Sequence, residues 1–232
     1  YPTVLFNAMV KPWTAFPIKG VIWYQGEANV GRSEQYGDLF PALITDWRRQ
    51  WRSDFPFYFV QLANFMESKK IQPDSEWAAL REAQTKALKL DQVGMAVTID
   101  IGLADDIHPK NKQEVGRRLA LVALAGSYGK NVSSSAPVFQ NYIIKGNKME
   151  LDFGQKQDGF QIKGTTLKGF TIAGPDRVFY PAEAMVHDGK IILSSTEVPA
   201  PLAARYGWAD NPDCNLYGEN GLPVAPFRTD CW

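Results

Sequence analysis

The sequence is poor in the residues and patterns that several classes of protein require. It has only two histidines and two cysteines, with no His-x-x-x-His motif, which argues against a metal hydrolase. No apolar run approaches the roughly 20 residues of a membrane-spanning helix. Lysine plus arginine equals aspartate plus glutamate, at 25 each, and no basic run suggests a nucleic-acid surface. We therefore expect no metal, no membrane and no nucleic-acid partner.

The serine motif of many esterases and a secretory signal are also missing. No Gly-x-Ser-x-Gly sequence occurs, and the serines at 33, 53, 75 and 127 are better interpreted as helix caps or loop residues. The chain starts at Tyr1 without a methionine, so we interpret it as part of something longer, and the absence of a signal carries little weight.

What the sequence does contain is enough apolar material for a folded core, 45% hydrophobic and 12% aromatic residues. Apolar runs at 18–25, 57–62 and 94–99 predict strands, the first of them buried on both faces. Between and after them, helical periodicity begins at Ser33, at Asp74 or Ser75, and at Asn111. This alternation predicts a three-layer α/β domain with a parallel sheet over residues 1–132.

The second part of the chain, residues 133–232, has a different pattern. Alternating segments flank Gly146-Asn147 and Asp188-Gly189, and such pairs are typical of two-residue hairpin turns. We expect a β-rich, sandwich-like domain whose tail packs back on the first. The second histidine, His187, lies beside one of these turns and is predicted to be exposed and structural.

Two short segments carry the candidate chemistry. In Asp105-Asp106-Ile107-His108-Pro109, a carboxylate three residues before a histidine can fix its tautomer and leave the other ring nitrogen free as a base. The segment Gln25-Gly26-Glu27-Ala28-Asn29 follows the first strand and offers backbone and amide donors to a developing negative charge. Both follow strands of the predicted parallel sheet, at the edge where ligands bind.

Together these two segments resemble blocks of the sialate O-acetylesterase family, a carbohydrate-esterase branch of the SGNH hydrolases. The resemblance continues through Arg81-Glu82-Ala83-Gln84, Arg205-Tyr206-Gly207-Trp208 and Gly221-Leu222-Pro223, and so covers nearly all of the chain. It implies an SGNH-hydrolase-like α/β fold and a serine esterase that removes acetyl groups from sugar hydroxyls, without a metal or organic cofactor. Two alternatives stay open: an acetyl esterase acting on plant polysaccharide, and a non-catalytic carbohydrate-binding or structural module.

The resemblance also implies roles for individual residues. His108 is the expected general base, oriented by Asp105, with Asp106 as the rival carboxylate. Gly26, by its backbone N–H, and Gln25 or Asn29, by a side-chain amide, are expected to bind the oxyanion. Glu27 is an alternative triad acid or a supporting residue. The nucleophilic serine of the family lies in an earlier block, so we expect a preceding segment of the same protein to supply it.

The two cysteines, Cys214 and Cys231, both lie near the end of the sequence in a segment with little periodic structure. A disulfide between them would stabilise this loop by roughly 3 kcal/mol. The bridge predicts an oxidising compartment, periplasmic or secreted, and the alternative is two free thiols in a cytosolic protein.

Overall fold

Three parallel strands form the centre of the first half of the chain. In the computed structural model, which describes residues 3–154 and 159–232, they are β1 (Val21–Trp23), β2 (Phe57–Val60) and β3 (Val93–Ala96). They are hydrogen-bonded in the order β1-β2-β3. The predicted α/β class and parallel sheet are confirmed.

Helices pack on both faces of this sheet because successive residues of β2 point to opposite sides. The helices are α1 (Ser33–Trp51), α2 (Glu76–Thr85) and α3 (Lys112–Gly126), with short helical turns at Phe6–Val10, Lys11–Trp13, Glu27–Asn29 and Lys86–Lys89. Phe57 and Phe59 share a buried cluster with α1 and α2. Tyr58 and Val60 pack instead against α3.

Strand β1 departs from the prediction that it is buried on both faces. Val21 and Trp23 pack in the cluster under α1 and α2, but the side chain of Ile22 between them is 69% exposed. The reason is that β1 lies at the edge of the sheet, beyond the reach of α3, whose buried residues cover β2 and β3.

The helix starts agree with the sequence at two of three places. Ser75 caps α2 by accepting a hydrogen bond from the Ala78 N–H at 3.0 Å, and the Asn111 side chain accepts one from the Glu114 N–H at 3.2 Å. The predicted cap at Ser33 is wrong. The preceding turn continues to Arg32, whose N–H bonds the Asn29 carbonyl, so Ser33 is already the first helical residue.

The second half is built from short antiparallel strands. These are β4 (Asn141–Lys145), β5 (Lys148–Asp152), β6 (Phe160–Ile162), β7 (Phe170–Ala173), β8 (Phe179–Pro181), β9 (Glu183–His187), β10 (Lys190–Ser194), β11 (Ala203–Tyr206), β12 (Leu216–Gly218) and β13 (Phe227–Arg228). They form sheets of order β4-β5-β10-β9, β13-β11-β7-β8 and β12-β6, and the first two share one apolar core. Both predicted hairpins are present, and His187 is exposed beside Asp188.

A fully buried arginine joins the two halves. The guanidinium of Arg81 donates to the carbonyl oxygens of Leu62 and Ala63 at 2.9 and 3.0 Å, beyond β2. It also donates to those of Ala209 and Asp210 at 2.7 and 2.8 Å, in the second half. Four backbone acceptors thus satisfy a side chain that has no solvent exposure. Burial lowers the pKa of Arg81 to about 9.

Further polar contacts connect the tail to the first half. Arg205 forms two hydrogen bonds with buried Asp230, at 2.8 and 2.7 Å, and a third with the Pro73 carbonyl at 2.8 Å. Arg228 pairs with Glu82 through two bonds of 2.8 Å. The Arg205–Asp230 pair lies within the second half, whereas the contacts with Pro73 and Glu82 cross to the first half. The position of residues 205–230 therefore depends on helix α2 and the loop before it.

The predicted disulfide is not found. Cys214 and Cys231 are both free thiols. Cys214 lies against Gly169 and Gly207, where an added Cβ would meet its sulfur at 2.8 and 3.3 Å, while Cys231 is exposed. Burial raises the pKa of the Cys214 thiol to about 12, so it is protonated at neutral pH. Within the described residues, every helix is too short or too polar to cross a bilayer.

Candidate active site

Two loops meet at the carboxyl end of the parallel strands and form a cleft of about 360 Å³. One follows β1 and the other follows β3, as expected for an edge where parallel strands end together. The cleft is lined by Tyr24, Gln25, Glu27, Ala28, Ile107, His108, Pro109 and Lys112. The structure therefore brings together the two segments that the sequence singles out. A larger cleft of about 480 Å³, between residues 68–72 and 167–171, contains none of the predicted site residues.

His108 lies at the mouth of this cleft with a largely exposed side chain. Its nearest carboxylate is Asp106, whose Oδ1 is 3.7 Å from Nδ1 of the ring and accepts the backbone N–H of His108 at 2.9 Å. This is an Asx turn, in which a carboxylate binds the backbone two residues later. Asp105 is exposed, and no hydrogen bond or ion pair joins it to His108 among the described residues. The geometry thus favours Asp106 as the neighbour of the imidazole.

The Gln25–Asn29 segment forms a compact turn. The Gln25 side-chain amide donates to Asn29 Oδ1 at 2.7 Å, and the Asn29 N–H bonds the Gly26 carbonyl at 2.8 Å. In this bond Gln25 is the donor and Asn29 the acceptor. The second N–H of the Gln25 amide and the N–H groups of the Asn29 amide are therefore left without an acceptor among the described residues. The structure places Gln25 and Glu27 in the cleft wall, with buried Gly26 between them.

Two cleft residues escape the sequence reasoning. Tyr24 has a buried hydroxyl with no hydrogen-bond partner among the described residues, and burial together with the Glu27 charge raises its pKa to about 12. Lys112 places its ammonium 4.8 Å from the centre of the Tyr24 ring. Both directly adjoin recognisable motifs in sequence, Tyr24 before Gln25 and Lys112 after the Asn111 cap, but only the fold places them in one cavity.

The cleft contains a base and donors but no serine among its lining residues. No group of three or more His, Cys, Asp or Glu side chains among the described residues is arranged to hold a metal ion. A parallel sheet with a histidine, carboxylates and amides at its carboxyl edge defines an α/β protein whose polar groups lie where open α/β sheets bind ligands.

Comparison with known proteins identifies the family within that class. The family model described as carbohydrate esterase, sialic acid-specific acetylesterase matches residues 2–125. This range is more than half of the chain and includes both cleft loops, so the chain belongs to this family.

Relatives match over nearly the whole chain. The sialate O-acetylesterases of mouse and human are each 32% identical to it over 255 aligned residues, covering 97% of this chain and 47% and 48% of theirs. A crystal structure described as a novel carbohydrate acetylesterase from Xanthomonas citri is 46% identical, with a TM-score of 0.94, and covers 100% of this chain and 55% of that one. The chain thus spans about half the length of the relatives that it matches.

Proposed function

We propose that this chain is part of a serine esterase that removes O-acetyl groups from sialic acids or similar acetylated sugars. The observation that carries the proposal is the cleft that His108, Gln25 and Glu27 line together at the carboxyl edge of the sheet. The family and the acetylesterase relatives support the same reaction class. A preceding segment of the same protein supplies the serine in this proposal.

Different residues of the cleft have different roles in the proposed acyl transfer. His108 takes the proton from the serine hydroxyl as the serine attacks the acetyl carbonyl, and then gives it to the departing sugar oxygen. The Gly26 N–H and an amide N–H of Gln25 or Asn29 bind the oxyanion of the tetrahedral intermediate. One such donor contributes about 3 to 4 kcal/mol in comparable sites. The proposed reaction needs no metal or organic cofactor.

The carboxylate that orients His108 has three candidates. Asp105 has the sequence spacing expected from the family resemblance, whereas Asp106 has the observed contacts. Glu27 lies in the same cleft. The 3.7 Å separation from Asp106 is beyond a hydrogen bond, so a small ring movement on substrate binding would have to close it. We propose Asp106 as the first choice on this geometry.

The positive charge of Lys112 favours an acidic sugar over a neutral one. Its ammonium lies at the cleft wall and forms no ion pair with any described carboxylate, so it is available to a substrate carboxylate. An acetyl esterase for a neutral plant polysaccharide such as xylan would gain nothing from that charge. A non-catalytic carbohydrate-binding module would have no use for a histidine beside a carboxylate. A periplasmic or secreted location stays a prediction, and the free thiols remove the support that a disulfide would give it.

The test is hydrolysis of O-acetylated sialic acid and of acetylated xylan by the full natural protein and by residues 1–232 alone. We expect the full protein to prefer the sialic acid, to be inactivated by a serine-directed phosphonate, and to have far higher activity than the fragment. Lys112→Gln is expected to raise KM for the acidic substrate about tenfold and to leave KM for xylan unchanged. Loss of the preference for sialic acid would favour the polysaccharide esterase, and an inactive full protein would favour the binding module.

A further inference from the structure

Two buried side chains hold the peptide group between Gln25 and Gly26. The Gln25 carbonyl oxygen accepts one hydrogen bond from the Tyr36 hydroxyl at 3.3 Å and another from the Gln84 side-chain amide at 3.2 Å. Tyr36 is on α1 and Gln84 is on α2, and both are almost or fully buried. Helices that pack on the sheet therefore fix a carbonyl in the loop beside the cleft.

The Gln84 amide is locked in one orientation. Its Oε1 accepts the backbone N–H of Leu62 at 2.9 Å, and its Nε2 donates to the carbonyls of Val60 and Gln25 at 3.3 and 3.2 Å. A backbone N–H can only donate and a carbonyl can only accept, so exchanging the oxygen and nitrogen of this amide would break all three bonds. Gln84 thus ties the loop after β1 to the end of β2.

The same contacts explain why position 26 is a glycine. A Cβ on Gly26 would lie 3.1 Å from Gln84 Nε2 and 3.2 Å from Leu62 Cδ2, closer than these groups pack without moving. The absence of a side chain at position 26 allows the amide of Gln84 to approach the peptide.

Because the peptide group is planar, holding the Gln25 carbonyl also fixes the direction of the Gly26 N–H. No described peptide bond is cis, so the Gly26 N–H points opposite to the Gln25 carbonyl and away from Tyr36 and Gln84. This N–H has no acceptor among residues 3–154 and 159–232. The neighbours on either side of it, Gln25 and Glu27, both line the cleft.

We propose that Tyr36 and Gln84 are positioning residues, which hold the Gln25 carbonyl so that the Gly26 N–H is aimed at the oxyanion of the reacting acetyl group. The inference rests on the proposed function for the identity of the anion, but the orientation of the N–H is a property of the fold. Neither side chain touches the substrate, and their effect passes through one peptide plane.

A kinetic test in the full natural protein compares two variants with a buried control. Tyr36→Phe removes one hydrogen bond to the Gln25 carbonyl and keeps the ring, while Gln84→Glu keeps an acceptor for Leu62 and loses the donor to Gln25. Since a lost oxyanion donor costs about 100- to 1,000-fold in kcat, a misaimed one is expected to cost about 10-fold for Tyr36→Phe and about 100-fold for Gln84→Glu. KM is expected to change less than about twofold, because the donor acts mainly in the transition state.

The control is Thr98→Val, which removes an equally buried hydrogen bond, from Thr98 Oγ1 to the Gln61 carbonyl at 2.6 Å. It is expected to lower the melting temperature and leave kcat unchanged. Folded variants at positions 36 and 84 with unaltered kcat, or a kcat that falls as far in Thr98→Val, would overturn the proposal. If Gln84→Glu does not fold, Tyr36→Phe decides.

A second measurement does not depend on turnover. Gln25-Gly26 is the only Gln-Gly pair in this sequence, so labelling glutamine carbonyls with ¹³C and glycine nitrogens with ¹⁵N marks the Gly26 amide in an NMR spectrum. Titration with acetate, whose carboxylate mimics the oxyanion, is expected to shift this signal in the native protein and to shift it much less in Tyr36→Phe. An unshifted native signal overturns the positioning proposal even in an active enzyme. A shifted signal in an inactive protein overturns the proposed function instead.

Discussion

At the scale of single residues, the imidazole of His108 and its carboxylate partner are the first point to settle. The side chain is 87% exposed, and its contact with Asp106 runs through an Asx turn. An exposed imidazole without a close acceptor is free to rotate. In the proposed reaction, a small ring movement toward Asp106 then fixes its orientation when substrate binds.

The prediction at this scale is a series of variants in the full natural protein. We expect His108→Ala to lower kcat by several orders of magnitude, because proton transfer is lost. We expect Asp106→Asn to cost about 100-fold and Asp105→Asn less than about threefold, because only Asp106 contacts the imidazole. Steady-state kinetics on an acetylated sialic acid makes the measurement.

Glu27→Gln is the informative comparison in this series. A loss of about 10-fold is expected if Glu27 only supports the loop. A loss as large as that of His108→Ala, with both aspartate variants nearly normal, would identify Glu27 as the triad acid and contradict the assignment to Asp106.

The sequence predicts which segments form the site better than it predicts the contacts within it. The motifs around Gln25 and His108 are recognisable as short strings, and they meet because each follows a parallel strand. The choice between Asp105 and Asp106 depends on the backbone angles of one turn, which residue type does not determine. The sequence does not indicate the proposed role of Tyr36 or Gln84, although Gln84 ends one of the segments that resemble the family. That role comes from hydrogen bonds to Gln25 across 11 and 59 positions of sequence.

At the scale of elements, helix α3 depends on charge at its first turn. Glu114 accepts hydrogen bonds from Arg117 at 2.7 Å and from Arg118 at 2.8 Å, and Arg118 also binds Asp100 at 2.6 Å. The two hydrogen bonds from Arg117, and then the one from Arg118, lower the pKa of Glu114 to about 2. A carboxylate near a helix amino terminus is also stabilised by the helix dipole.

The pH dependence follows from the sign of this shift. Because the folded-state pKa lies below the unfolded value of 4.5, the stabilisation is complete above about pH 4.5 and is lost as the pH falls toward 2. We expect Glu114→Gln to reduce the free energy of unfolding by about 1 kcal/mol at pH 7, after allowance for solvent screening. Urea unfolding of both proteins at pH 7 and pH 3 measures whether the difference shrinks in acid.

The matched control is Glu34→Gln, which changes the acidic residue in the first turn of α1, where no ion pair forms with a described residue. A pH-independent difference for Glu114→Gln, or an equal effect of Glu34→Gln, would rule out the arginine contacts as the cause.

The elements themselves were largely predictable where the local pattern is strong. The helical periodicity after Ser33 and the caps at Ser75 and Asn111 match the structure, although Leu39, which we expect on the apolar face of α1, is 54% exposed. The exposed face of Ile22 was not predictable, because an apolar run indicates burial but does not say how far a neighbouring helix extends. The Cys214–Cys231 bridge failed similarly, since proximity in sequence does not bring two thiols into contact.

At the scale of the whole molecule, hydrogen bonds from Arg81 join the two halves. Arg81→Met would leave the carbonyl oxygens of Leu62 and Ala209 without a described donor. The carbonyls of residues 63 and 210 would lose one donor each and keep the Trp77 indole N–H and the Phe65 backbone N–H. An unpaired buried polar group costs about 1 to 3 kcal/mol, so the expected loss of unfolding free energy from these two carbonyls is about 2 to 6 kcal/mol. Urea unfolding at neutral pH is the measurement, with failure to fold as the extreme form of the same result.

Arg49→Met is the control for this change, because the Arg49 side chain is 77% exposed and pairs only with nearby Asp46. It is expected to change stability by less than about 0.5 kcal/mol. A variant at position 81 within 1 kcal/mol of the native protein would show that the joint is held by other contacts, such as those of Arg205 and Arg228.

The carbonyl oxygens that bind Arg81 are synthesised at different times during translation. Its acceptor at Ala209 is 128 residues further along the chain, which corresponds to about 6 to 25 seconds of translation at roughly 5 to 20 residues per second. Until then the guanidinium of Arg81 lacks the Ala209 and Asp210 carbonyls, which are two of its four acceptors, and water must accept its hydrogen bonds instead. We expect the α/β half to be less stable during these seconds than in the finished protein, because two of the four acceptors of Arg81 have not yet been made.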